Sequence, residues 1–310
     1  MPVTRNNPIK AAHFLNELRT KLQSAQGTFI YDACLRASLE KTNPEDSSGY
    51  VRWLHALFDF LRHENGGGRR TLDLGCGTGE LTVLMKLLGF EATGIDVQPE
   101  DIRLAQLLAR ENGLSADMFV RHEMVQLPFA DASFDIVMMV SVLEHLDDQT
   151  LRALLPELAR ICRGVLFVQA PSSASLRDDH TGLRFVPAMP HWLARTYIAA
   201  RGSKYRYSIS PSGTWDVHYR SLDEILQIFS PWFAGSFAPA NCCYPEPSSD
   251  ESITRIGKHI QLRNRDLFVG VPLPWRRLRI NRGYPREAYY PYLNLIFKPA
   301  NGYHQNGFES

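Results

Sequence analysis

Three glycines occupy alternate positions after an apolar segment: Gly75, Gly77 and Gly79. Asp73 comes two residues before the first glycine, and Asp96 comes seventeen residues after the last. Glycines at the end of a buried strand let the backbone turn tightly and approach a ligand closely. A carboxylate at the mouth of that strand suits an ammonium group, and a carboxylate after the next strand suits the two hydroxyls of a ribose. The pattern predicts a ligand that carries an ammonium group at one end and a nucleoside at the other.

Two classes of cofactor compete for such a loop. The dinucleotide fingerprint is G-x-G-x-x-G, whereas the spacing here is G-x-G-x-G. Asp73 would also repel a pyrophosphate, because both groups are negatively charged. The residues therefore favour S-adenosylmethionine and disfavour a nicotinamide dinucleotide.

Short apolar segments alternate with helical segments on both sides of this loop. Such alternation predicts an α/β fold with a doubly wound, mostly parallel sheet. The predicted strands are 70–74, 91–95, 118–121, 134–140, 164–169, 232–239 and 292–297. The predicted helices between and after them are 79–88, 99–112, 149–160, 190–201 and 222–230.

The chain divides into a helical N-terminal extension, residues 1–66, and an α/β domain, residues 67–310. Apolar residues recur at helical spacing in 9–22, 29–39 and 50–61. The strand and helix alternation fails twice, at about 172–220 and 240–288. We expect these two insertions, after strands five and six, to form a cap over the substrate.

Two further motifs follow the glycine loop, LPFADASFD at 127–135 and LEHL at 143–146. Together with Asp73, the glycines and Asp96, they resemble the class I S-adenosylmethionine-dependent methyltransferases, over about residues 69–170. That resemblance implies a Rossmann-like methyltransferase fold and S-adenosylmethionine as the cofactor.

The resemblance also implies roles for residues of the glycine loop. Asp73 would hold the methionyl ammonium with the backbone around Gly75. Cys76, Gly77 and Gly79 would line the loop, although Cys76 could equally be a small loop residue with no chemical role.

Residues after the later strands would hold the remainder of the cofactor by the same resemblance. Asp96 would take the ribose, Glu123 would contact the adenine amino group, and Val97 and Met124 would pack on the adenine. Val140 would lie against the methionine part. Val97 and Met124 could instead be ordinary core residues.

Three histidines are candidate bases for the acceptor side. A hydroxyl acceptor needs a base for its proton, and histidine titrates near neutral pH. His180 is the leading candidate, because it follows the fifth strand in a segment that resembles an insertion of sugar- and glycan-modifying methyltransferases. His145 in LEHL and His218 are the others. Asp178 and Asp179 could orient His180, and we expect no metal site, because three adjacent residues seldom supply all the ligands.

Composition limits the partners of the chain. The 310 residues carry a formal net charge of +1, which gives no general attraction to nucleic acid. Residues 251–310 hold ten Lys or Arg against four acids, so an acidic substrate and a peripheral membrane contact both stay open. Four arginines of this segment could hold a phosphate or a carboxylate, or could equally form a surface face: Arg276, Arg277, Arg279 and Arg282. Five cysteines without metal or redox spacing, no signal-like start and no transmembrane segment favour the cytoplasm.

These observations favour an enzyme that methylates a hydroxyl of a small molecule or glycan. N- or C-methylation of a metabolite, or a catalytically silent binding subunit, are the alternatives. A nucleic-acid acceptor is not expected, because the Asn/Asp-Pro-Pro-aromatic motif is absent after strand four, where the chain reads Val140-Ser141-Val142-Leu143. The oligomeric state does not follow from the sequence.

Overall fold

The computed structural model describes residues 9–42, 57–63, 67–123, 125–205, 215–237 and 292–300. Within these ranges lies a seven-stranded sheet. The strands are β1 (Arg70–Leu74), β2 (Glu91–Asp96), β3 (Phe119–Arg121), β4 (Phe134–Val140), β5 (Cys162–Pro171), β6 (Phe233–Phe237) and β7 (Tyr292–Pro299). The helices are α1 (Ala12–Leu22), α2 (Phe29–Thr42), α3 (57–63), α4 (Glu80–Leu87), α5 (Pro99–Glu111), α6 (Asp148–Ile161), α7 (His191–Ala200) and α8 (Leu222–Phe229).

The strands lie in the order β3-β2-β1-β4-β5-β7-β6. The first five pair in parallel, and β7 runs antiparallel to both β5 and β6. This confirms the predicted doubly wound, mostly parallel sheet. The strand order reverses between β1 and β4, and in open α/β sheets ligands bind at the carboxyl ends of the strands beside such a reversal.

Strand β4 shows how the two helical layers form. Its side chains alternate between the faces of the sheet, and both sets are apolar because both faces are covered. Ile136 and Met138 are fully buried in one hydrophobic cluster with α1, α4 and α5. Val137 and Met139 are fully buried in a second cluster with α6 and α8. A continuous apolar strand is therefore the signature of the central position that β4 occupies.

Helix α6 follows from an apolar stripe at helical spacing and a cap. Its stripe is fully buried and consists of Leu151, Leu154, Leu155 and Leu158. At the N-terminus, the Asp147 carboxylate accepts the backbone N–H of Thr150 at 2.7 Å. Helix α6 forms the connection between the LEHL motif and β5.

The N-terminal extension packs directly on the α/β layers. The backbone N–H of Phe14 in α1 donates to Glu111 of α5 at 2.9 Å, and Lys21 forms an ion pair with Asp101. Ser38 of α2 donates a hydrogen bond to Glu80, the first residue of α4. Phe14, Leu18 and Leu22 of α1 are also buried in the cluster that contains Ile136 and Met138 of β4. A domain boundary near 66 stays a prediction.

The first insertion begins and ends side by side. Ser172, just beyond β5, forms an isolated parallel bridge with Arg220, so the chain departs from the sheet and returns to it at one place. Leu183, Ala194 and Trp215 of this insertion share a small buried cluster with Ile30 of α2. The second predicted insertion, 240–288, lies outside the described residues, as do Arg276, Arg277, Arg279 and Arg282. None of the described helices has the length and apolar character that crossing a membrane requires.

Candidate functional site

The glycine loop joins the end of β1 to α4 and contacts the loop after β4. The backbone N–H groups of Gly75 and Cys76 both donate to the carbonyl of Ile95, at 2.8 and 3.0 Å. Gly75 has a φ of +71°, and a Cβ placed there would stand 2.4 Å from a methyl carbon of Val142. Only glycine fits this position, and the close approach brings the β1 and β4 loops together.

Gly77 and Asp96 form the part of the loop that fits a nucleoside. The N–H of Gly77 donates to Asp96 Oδ2, and the N–H of Gln98 donates to Oδ1, both at 2.9 Å. A carboxylate offers about four acceptor positions, so two remain for ribose hydroxyls. A Cβ at Gly77 would meet no described residue within 4 Å, which leaves space beside these acceptors in the described part of the chain. The residues present therefore fit the ribose of S-adenosylmethionine.

Asp73 lies beneath the loop and is 2% exposed. The hydroxyl of Thr82 in α4 donates to its Oδ2 at 2.6 Å. Burial raises the pKa of Asp73 to about 6, against the opposing effect of the Thr82 hydrogen bond. A cation placed near this carboxylate would therefore be stabilised strongly, since little water screens the charge.

The remaining loop residues are packed tightly. Cys76 is buried, and burial raises the pKa of its thiol well above the ordinary value, so the group stays protonated. Gly79 precedes α4 with a φ of +85°, and a Cβ there would stand 2.6 Å from that of Ala105. These contacts give Cys76 and Gly79 a role in the shape of the loop.

The residues predicted to contact adenine lie beside Asp96. Val97 follows it directly and is 37% exposed, which is unusual for a core valine. The N–H of His122 donates to the carbonyl of Asp96 at 3.0 Å, so the exposed Glu123 lies next to the same strand end. Val140 is half-buried at the end of β4, and Met124 lies outside the described residues.

His180 and Asp178 form the most enclosed charged pair of the first insertion. The Nδ1 of His180 is 3.6 Å from Asp178 Oδ1, and the two side chains are 12% and 0% exposed. Asp178 also accepts hydrogen bonds from the Tyr219 hydroxyl and the Thr181 N–H, both at 2.7 Å. Burial lowers the pKa of His180, but the Asp178 carboxylate outweighs it, so the net shift is upward. Burial opposes the charge of Asp178 in turn, yet these partners hold its pKa below the usual range.

His145 and Glu144 face His180 from the loop after β4. The rings of His145 and His180 pack edge to face, with centroids 5.1 Å apart. Part of the His145 side chain is exposed to solvent. Desolvation of its ring, and next the charge of His180, lower the pKa of His145 to about 4 and keep the ring neutral. Glu144 is 2% exposed, and burial raises the pKa of its carboxyl to about 7. His145, which is neutral, and Glu144, which keeps part of its proton, thus lie beside His180.

His218 lies on the strand-like segment that closes the insertion. Its backbone N–H donates to the carbonyl of Glu144 at 2.6 Å, so all three predicted histidines meet at one edge of the sheet. Its ring stacks on that of His191, with centroids 4.9 Å apart and planes 1° apart. Its Nε2 is 3.3 Å from Asp216 Oδ1.

Arg220 is a positioning residue that the sequence reasoning missed. It is 5% exposed, and its guanidinium donates to the carbonyls of Leu143 and Leu146, at 3.0 and 2.6 Å, and to Asp148 at 2.8 Å. These bonds fix the turn that presents Glu144 and His145. The signal in the sequence was an arginine two residues after His218, but its partners lie more than seventy positions away.

Comparisons with known proteins find similarity to methyltransferases. The model of a family described as "Methyltransferase domain" matches residues 71–164. A ubiquinone biosynthesis O-methyltransferase of Xanthomonas euvesicatoria is 31% identical, over 57% of this chain and 68% of its own. One of Actinobacillus pleuropneumoniae is 34% identical, over 54% of this chain and 69% of its own.

Solved structures also resemble the chain. A SAM-dependent methyltransferase from Archaeoglobus fulgidus has a TM-score of 0.43 and 19% identity, covering 85% of this chain and 98% of its own. Magnesium protoporphyrin IX methyltransferase from Synechocystis, with bound SAH, has a TM-score of 0.44 and 18% identity, covering 74% and 89%.

Proposed function

The chain belongs to the class I S-adenosylmethionine-dependent methyltransferases, and we propose that it methylates a hydroxyl oxygen of a small-molecule acceptor. S-adenosylmethionine supplies an activated methyl group on a sulfonium, and the leaving group departs neutral. Asp73, the glycine loop and Asp96 would hold this cofactor at the carboxyl edge of the sheet. Glu123, Val97, Met124 and Val140 would complete the site around its adenine and methionine parts.

The observation that carries the proposal is the Asp178–His180 pair. A hydroxyl acceptor must lose a proton during transfer, and a histidine within reach can take it. With Nδ1 of His180 3.6 Å from the buried Asp178 carboxylate, we assign the acceptance of that proton to Nε2. Asp178 would fix the tautomer and stabilise the imidazolium that forms, as a carboxylate does in other histidine-based sites.

The other two histidines fit supporting roles better. His145 has a pKa near 4, so it is a weak base that holds no positive charge at neutral pH. Its neutral ring could line the acceptor cleft without repelling the sulfonium. His218 is stacked on His191 and lies close to Asp216. Both contacts restrict the movement of its ring. We therefore place the proton on His180.

The relatives in the comparison are named O-methyltransferases of ubiquinone biosynthesis, which supports a hydroxyl acceptor. The test presents the purified protein with hydroxyl-bearing and amine-bearing metabolites, intermediates of ubiquinone biosynthesis and glycans, and measures S-adenosylhomocysteine release and product mass. We expect turnover with hydroxyl acceptors. Methylation of amines or carbons alone would contradict the proposal. Cofactor binding without turnover on any acceptor would favour a silent binding subunit.

The His180→Ala variant separates chemistry from binding. We expect turnover to fall at least ~10²-fold while calorimetric affinity for S-adenosylmethionine stays the same. His13→Ala is the matched control, because His13 lies in α1 and is exposed. Undiminished turnover in the His180 variant would mean that the base is another group or that none is needed.

A further inference from the structure

A second group of side chains lies beside the Asp178–His180 pair, formed by His191, Asp216 and His218. Asp216 and His218 belong to the segment that ends the first insertion, and His191 is the first residue of α7. We propose that this group binds a divalent transition-metal ion such as Zn²⁺, with one coordination position left open. This proposal departs from the sequence-based prediction of no metal, which rests on the adjacent residues 178–180.

The distances within the group match those of a metal site. Asp216 Oδ1 is 3.4 Å from Nε2 of His191 and 3.3 Å from Nε2 of His218. In a tetrahedral site with bonds of about 2.0–2.1 Å, ligand atoms stand about 3.3–3.4 Å apart. The three ligand atoms all lie within 4.8 Å of one another. Because the His191 and His218 rings are stacked with planes 1° apart, one of them must turn about its Cβ–Cγ bond before both Nε2 atoms point at one ion.

The Nε2 of His191 provides independent support. It is buried and has no hydrogen-bond partner in the part of the chain that the structure describes, although the Asp216 carboxylate is near. A buried polar atom without a partner is costly, and a metal ion would satisfy it. Its ring also packs on the ring of Trp215, with centroids 5.3 Å apart, and on that of His218, with centroids 4.9 Å apart. These contacts hold the His191 ring beside the other two ligands.

Two imidazoles and one carboxylate are a ligand set that suits zinc and related ions. Three protein ligands leave a fourth position open, as in catalytic sites. His191 and His218 line a cavity of about 250 Å³ together with Tyr219 and Arg220, so a water or an acceptor oxygen could occupy that position.

The neighbouring group of Glu144, His145 and His180 also brings ligand atoms within 4.8 Å. It is the weaker candidate, because its His180 is the proposed base and lies with Nδ1 3.6 Å from the Asp178 carboxylate.

The experiment uses the full chain treated with EDTA and then titrated with ZnCl₂ by calorimetry. Wild-type protein should bind one equivalent with micromolar or tighter affinity, and its thermal midpoint should rise with added zinc. His191→Gln and Asp216→Asn, which keep side-chain size and polarity, should each weaken binding at least tenfold. His180→Gln is the control for the neighbouring group and should bind zinc like the wild type.

Two results would overturn the proposal. One is no zinc binding by the folded wild-type protein. The other is affinity that survives the His191 and Asp216 substitutions, which would place any bound ion elsewhere, at the Glu144 group if His180→Gln abolishes binding. Absorption of the Co²⁺-substituted protein adds a check, because thiolate ligands give charge-transfer bands that nitrogen and oxygen ligands do not. If one variant fails to fold, the other and the wild-type spectrum still decide the question.

Discussion

Replacing Gly75 by alanine should destabilise the protein much more than the same replacement at Gly77. Both residues have a positive φ, +71° and +51°, and alanine in the left-handed region costs about 1–2 kcal/mol. At Gly77 that is the whole expected effect, because a Cβ there meets no atom within 4 Å among the residues that the structure describes. At Gly75 the new methyl would stand 2.4 Å from Val142, a stiff β-branched side chain, and such overpacking adds about 1–3 kcal/mol.

We therefore expect a loss of about 2–5 kcal/mol for Gly75→Ala and about 1–2 kcal/mol for Gly77→Ala, measured by urea unfolding without cofactor. The double variant Gly75→Ala/Val142→Ala should lose less than the two single losses combined, because removing the valine methyls removes the clash. Equal losses of stability for Gly75→Ala and Gly77→Ala would refute the close approach of the β1 and β4 loops. Additive losses in the double variant would do the same.

Four other predictions follow from the site. Asp96→Ala should weaken S-adenosylmethionine binding by about 2 kcal/mol in calorimetry, as expected for lost charged hydrogen bonds; unchanged affinity would remove Asp96 from the ribose site. Burial raises the pKa of Asp73 to about 6 in the folded protein, so the stability that its protonated form contributes is lost as pH rises from about 4 to 6. Asp73→Asn should therefore make the cofactor-free protein more stable at pH 7.5, by up to about 3 kcal/mol, while weakening cofactor binding; a less stable variant would contradict this. The Asp178 carboxylate outweighs burial and raises the pKa of His180, so turnover should rise with pH through an apparent pKa above the usual value of about 6.5, and Asp178→Asn should shift that profile to lower pH. Ser221→Ala should cost about 1 kcal/mol of stability without changing turnover, because it removes the capping box of α8.

The sheet could be predicted from the sequence because its signals are local. The apolar run of β4, the stripe of α6 and the glycines before α4 each reflect a conformation that neighbouring residues dictate. The strand boundaries differ by a few residues at most, as in β5, which extends to Cys162–Pro171 rather than 164–169. Pairing partners and the antiparallel direction of β7 depend on distant segments and are not encoded locally.

The site was predictable in part for the same reason. The positions of Gly75 and Asp96 follow from strand ends, and parallel strands bring their carboxyl ends to one edge. The partnership of Asp178 with Tyr219, forty-one positions away, depends on how the insertion folds back. The same is true of Arg220, whose hydrogen bonds reach Leu143 and Leu146. No spacing rule connects such residues, so only coordinates reveal them.

The bridge between Ser172 and Arg220 has a consequence for how acceptor preference can change. Since the insertion starts and finishes at one point of the sheet, its length and sequence can vary without moving β5 or the cofactor loop. Arg220, at the end of the insertion, holds the turn that carries His145 through its hydrogen bonds to the carbonyls of Leu143 and Leu146. A segment of different length could therefore join the sheet at the same two residues, but it would have to supply its own base and its own contact with Ile30, because Asp178 and His180 lie within the insertion.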